Sequence, residues 1–144
     1  MPTTRARRTL AAAPGAVWAV VGDPRALPRW WPRAVRVERP GARVFTLVLQ
    51  SKRGREVRAD QRVLADEAPW RRAWALEVAG TPFARVFAAL EVEVTLAPAA
   101  DGGTLVTIEE RQRLRGTSKL GGPFARRGAR RQLREALDGL QRVL

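Results

Sequence analysis

Between residues 34 and 114 the chain runs through six segments of alternating or β-branched apolar residues, and after them its period changes. Segments 34–38, 43–51, 55–65, 70–79, 84–97 and 104–114 read as strands. Pro40-Gly41, Gly54, Glu67-Ala68-Pro69, Gly80-Thr81-Pro82 and Asp101-Gly102-Gly103 separate them as turns. Connectors this short cannot carry a parallel crossover, so neighbouring strands must form antiparallel hairpins. From about Ser118 onward, Ala125, Ala129, Leu133, Ala136, Leu137, Leu140 and Leu144 recur at three and four residues and mark one helical face. A helix over 119–143 is about 37 Å long, enough to cross a whole sheet.

Ahead of the strand run, residues 5–13 read as an opening strand. Pro14 suits a first helical position, and Val17, Trp18, Val20 and Val21 give a short helix an apolar face before Gly22 ends it. Asp23 is placed to cap a second short helix running to about Trp30, which Pro32 stops. The order is strand, two short helices, six strands, one long helix. This is an α+β layout, a curved antiparallel sheet with helices on one face, read as a single domain over 1–144. One helix covers only part of a concave sheet, so space is expected beneath it.

The chain contains no histidine, tyrosine or cysteine. A Ser-His-Asp triad, a histidine or thiolate metal site and a disulfide framework are therefore excluded, and neither metal nor cofactor is expected. Catalysis would rest on carboxylates, arginine, hydroxyls or water, which favours binding over enzymatic turnover. The first ten residues lack the apolar run of a signal peptide and no stretch is long enough for a membrane helix, so a cytoplasmic location is expected. The net charge of +13 attracts phosphates, which keeps a nucleic acid or an anionic membrane open as a partner. Yet all but Lys52 and Lys119 of the basic residues are arginines spread along the chain, which reads equally as a coding bias.

The element order, with Ala13-Pro14-Gly15-Ala16-Val17-Trp18, Asp23-Pro24 and Trp30-Trp31-Pro32, resembles the START-like or SRPBCC superfamily, which includes polyketide cyclases and dehydrases and the major pollen allergens. Leu120-Gly121-Gly122-Pro123, Arg130-Arg131-Gln132-Leu133 and Ala136-Leu137 are similar to its bacterial members. The resemblance spans essentially the whole chain. It implies the helix-grip fold, in which a seven-stranded sheet grips the C-terminal helix over a hydrophobic cavity. It also implies a hydrophobic ligand such as a lipid, sterol, quinone or polyketide, with cyclisation or dehydration in a minority of members.

Strand parity assigns the cavity wall. The inward sets are Val57, Ala59, Gln61 and Val63, then Trp70, Arg72, Trp74, Leu76 and Val78, then Val86, Ala88, Leu90, Val92, Val94 and Leu96, then Val106, Ile108, Glu110 and Gln112. Strand 43–51 is apolar on both faces, with Phe45, Leu47 and Leu49 taken as inward. From the helix, Leu133 and Leu137 complete the expected ligand-binding set, with Trp30 and Trp31 at the cavity mouth. Either these tryptophans receive a flat ligand or they simply pack the core.

Arg72, Glu110 and Gln61 are polar residues on apolar sets. Counting back from the hairpin turns sets Arg72 and Glu110 opposite Leu90 from either side, as a polar pole orienting a ligand carbonyl or carboxylate. These two are the candidate catalytic residues of a cyclase-type alternative, and the other reading leaves both at a wet rim. Glu109 points away from Glu110, and Glu91 and Glu93 fall on the outer face beside arginines. Finally, Arg126, Arg127, Arg130 and Arg131 beside the Gly121-Gly122-Pro123 start are candidates for an anion site on RNA, ribosome or membrane, or are a solvated helix flank.

Overall fold

The alternation in the sequence is realised as one antiparallel sheet of seven strands in a computed structural model that describes residues 2–116 and 122–144. The strands are β1 (Thr3–Leu10), β2 (Ala34–Glu38), β3 (Val44–Gln50), β4 (Glu56–Glu67), β5 (Arg71–Leu76), β6 (Phe87–Pro98) and β7 (Thr104–Leu114). Their spatial order is β1-β7-β6-β5-β4-β3-β2. Helices α1 (Pro14–Val21), α2 (Leu27–Trp30) and α3 (Gly122–Val143) complete an α+β fold. The curved sheet wraps α3, which packs on β1, β7 and α2. No described helix is long and apolar enough to cross a membrane.

Local chemistry explains the helix ends. Pro14 opens α1, and the Asp23 carboxylate accepts the Arg25 backbone N–H at 3.0 Å, capping a 3-10 turn over Pro24–Ala26 that leads into α2. Gly139 of α3 lies against Trp30 of α2 so closely that a Cβ there would overlap the Trp30 carbonyl oxygen. The two helices touch backbone to backbone at that point.

Several boundaries differ from the sequence reading. β1 occupies Thr3–Leu10 rather than 5–13, because β7 begins at Thr104, which is the last partner it offers, to Leu10. Thr104 Oγ1 then donates to the Ala12 carbonyl at 2.7 Å, turning the chain towards α1. β5 stops at Leu76, and Pro82–Arg85, expected within or next to a strand, form a 3-10 turn. The expected helix start at 119 lies outside the described residues.

The outer face carries an ion-pair ladder. Arg5 pairs with Glu109, Arg111 reaches Glu109 at 3.1 Å and Glu93 at 2.9 Å, and Arg71 joins Glu93 to Glu67. Five neighbouring strands are thereby linked, with Glu91 and Glu93 paired to arginines as their parity implied. Each exposed pair is worth about 0–1 kcal/mol.

The inner face is divided. At one end Leu10, Val94, Val106 and Ile108 meet Val17, Val21, Leu27, Leu133, Ala136, Leu137 and Leu140 in a solid core of almost fully buried side chains. At the other end the packing opens.

Candidate functional site

The opening is a hollow of about 210 Å³ lined by ten apolar and four polar residues. The apolar wall is Trp31, Leu47, Leu49, Ala59, Trp74, Leu76, Phe83, Phe87, Leu90 and Val92, and the polar residues are Gln61, Glu110, Gln112 and Gln132. Trp74 forms the floor between solid and open halves. Its ring meets Trp31 at 5.7 Å and Phe45 at 6.3 Å, both edge to face, and Trp31 meets Trp30 at 5.5 Å.

Glu110 sets the electrostatics. It is 3% exposed. Its Oε2 accepts Gln112 Nε2 at 3.1 Å, and no cation pairs with it among the described residues. Burial pushes its carboxyl up to about 7, against the smaller opposing pull of the Gln112 bond. At neutral pH the group is therefore poised between a hydrogen-bond donor and an acceptor on an otherwise greasy wall.

Of the residues assigned to the cavity from sequence, Trp31, Leu47, Leu49, Ala59, Gln61, Trp74, Leu76, Leu90, Val92, Glu110 and Gln112 line the hollow. Trp30, Ile108, Leu133 and Leu137 are buried in the solid core instead, where strand and helix faces meet without a gap. The Trp30 indole N–H is buried with no hydrogen-bond partner among the described residues. Phe45 packs on Trp74 without reaching the hollow. Trp70, placed inward by parity, is 44% exposed beyond the start of β5.

The Arg72–Glu110 pole is corrected. Arg72 stands opposite Val94, and Glu110 stands opposite Val92 in the row of Trp74. The connection from β5 to β6 is longer than a tight turn, so the hairpin closes around the 3-10 turn and shifts the register. A bulge in β4 between Val63 and Ala65 turns Asp66 to the inner face opposite Arg72. Arg72 accordingly pairs with Asp66 at 3.2 Å in a cleft apart from the hollow.

A second bulge, between Phe87 and Ala89, takes Ala88 off the inner face and brings Phe87 onto it. Phe83, Phe87 and Gln132 were missed from sequence. Phe83 fell between the turn Gly80-Thr81-Pro82 and the strand read from 84, Phe87 had the wrong parity, and Gln132 sits beside the apolar stripe of α3 rather than on it. An aromatic directly after Pro82 was the one available signal for Phe83. Arg126, Arg127, Arg130 and Arg131 are all exposed, and Arg131 pairs with Glu135 at 3.3 Å. The Gly121 part of the expected anion site lies outside the described residues.

This architecture has known counterparts. A START superfamily protein from Mycobacterium smegmatis superposes with a TM-score of 0.77 at 16% identity, covering 96% of this chain and 94% of that one. The protein TTHA0849 from Thermus thermophilus gives 0.75 at 22% identity, covering 98% and 95%. The di-domain ARO/CYC BexL of the BE-7585A biosynthetic pathway gives 0.79 at 21% identity, covering 99% of this chain and 46% of that one. At these identities the likeness is one of fold. No curated protein matches the chain. The profile of the family described as polyketide cyclase / dehydrase and lipid transport matches residues 1–144, and the protein belongs to that family.

Proposed function

We propose that the protein binds and carries a hydrophobic small molecule in the hollow between the sheet and α3, with Glu110 as the polar anchor. The observation that carries this is a buried carboxyl without a counter-ion on the wall of an apolar hollow. Leaving a desolvated acid there is a cost to folding, and a ligand that supplies it a hydrogen-bond partner recovers part of that cost. At about 210 Å³ the space is below the 300–1,000 Å³ usual for drug-sized ligands. It suits a compact ligand, or the apolar part of a larger one.

Native mass spectrometry of the purified chain, followed by solvent extraction, tests the reading. A bound or taken-up apolar molecule recovered unchanged supports carriage, and Leu90→Trp, which fills the hollow, should abolish its retention. Equal retention by Leu90→Trp would move the binding site elsewhere.

A second reading, cyclase or dehydrase chemistry, is favoured by the same carboxyl. A group titrating near 7 is suited to move a proton at neutral pH. In that case a polyketide-type substrate is converted, and Glu110→Gln removes the turnover while leaving the substrate bound.

A further inference from the structure

Beside the hollow lies a second depression of a different chemistry. It measures about 350 Å³ and includes Arg33, Lys52, Gly128, Arg131 and Glu135 in its wall. Three separate chain segments each supply the hollow and then, within three residues, the cleft. Trp31 is followed by Arg33 at the end of α2, Leu49 by Lys52 at the end of β3, and Gln132 adjoins Arg131 on α3 and borders both spaces. The first two segments are tied together, since the Arg33 carbonyl accepts the Gln50 backbone N–H at 2.9 Å. Arg33 itself is held at φ 64°, a conformation a non-glycine residue seldom adopts.

The charges in the cleft do not cancel. Glu135 is taken by Arg131 at 3.3 Å, which leaves Arg33 and Lys52 with no ion pair among the described residues. On β7, four strands across the sheet from β3, the hollow presents the Glu110 carboxyl, beside which a second buried carboxylate would be repelled.

The geometry points to a single amphipathic site: the hollow takes an apolar body, and the cleft of Arg33 and Lys52 takes one anionic group, a carboxylate, sulfonate or phosphate, at its outer end. This rests on the hollow being the ligand site and adds the class and orientation of the ligand. The anion faces outward, and a neutral oxygen, where the ligand has one, faces Glu110.

Calorimetric titration at pH 7 and low salt with octanoate and 1-octanol, two chains of equal length differing in charge, separates the two levels. Octanoate should bind about tenfold more tightly than octanol. In the double variant Arg33→Asn/Lys52→Gln that preference should vanish while octanol binding stays as it was, which also reports an intact hollow. Asn tolerates the left-handed backbone at position 33. Glu135→Gln, by freeing Arg131, should strengthen octanoate and leave octanol alone. Equal binding of the two probes to the unaltered chain, or a preference that survives the double variant, overturns the amphipathic site while leaving the hollow as a ligand site. Failure of both probes to bind overturns the hollow reading and this inference with it.

Discussion

Two buried charged side chains on the inner face illustrate opposite solutions to desolvation. Arg72 is 3% exposed and is met by the Asp66 carboxylate. Glu110 is equally buried and is met only by a neutral amide. Its carboxyl titrates at about 7 when folded, against 4.5 when free. Between those values the folded chain holds a proton that the unfolded chain has released. Stability from this group is therefore fully present below 4.5 and declines as pH rises to about 7, by up to about 3 kcal/mol. Glu38 and Glu93 are held low by their arginine partners, so their contributions change below that window. Urea unfolding should give a lower midpoint at pH 8 than at pH 5 for the unaltered chain. Glu110→Gln should lose this decline and be the more stable form at pH 8. The inward placement of Glu110 was legible in the sequence, because β7 runs without a bulge and parity counted from Val106 holds. The burial of Arg72 was legible too, but its partner was not. One extra residue at Leu64 decides which face Asp66 occupies, and no residue type at that point announces it.

Strands and helices were legible where their period persisted over many residues, and uncertain where one residue's insertion resets it. The hairpins around β6 show this. Alternation over 92–96 places Val92, Val94 and Leu96 inward in both readings, whereas Ala88 and Phe87 exchange faces at the bulge. The helix pair α2–α3 depends on a feature that periodicity alone does not reveal, the contact of Gly139 with Trp30. Gly→Ala within a helix ordinarily stabilises by about 0.5–1 kcal/mol. At Gly139 the sign should reverse, because the added methyl must displace backbone of α2, and overpacking of this kind costs about 1–3 kcal/mol. At Gly128, where nothing lies within 4 Å of the added carbon, the ordinary gain should appear. Thermal unfolding of Gly139→Ala and Gly128→Ala should shift in opposite directions. A shift of both in the same direction would mean that α2 yields easily and that the close approach is not what fixes it to α3.

The interior as a whole divides its labour between holding the fold and leaving room. Leu133 is fully buried where α3 meets the sheet, among neighbours that cannot collapse onto a vacated volume. Leu90 is only partly buried and borders space that already exists. Truncation to alanine removes the same atoms in both cases, yet the consequences should separate. Leu133→Ala creates a new cavity and should cost about 2–5 kcal/mol, with a corresponding fall in unfolding midpoint. Leu90→Ala merely enlarges the hollow and should cost about 1 kcal/mol, since most of the transfer and cavity terms are absent from a wall already open on one side. The order reverses for ligand uptake: the Leu90 variant should change the affinity for, or the size limit of, an apolar probe, while the Leu133 variant, at temperatures where it remains folded, should leave both nearly unchanged. Urea titrations of the two variants, paired with binding of a graded series of alkanols, read both quantities from the same preparations. Equal destabilisation by the two truncations would mean that the region around Leu90 is as tightly packed in solution as the core around Leu133, and that the hollow closes when nothing occupies it.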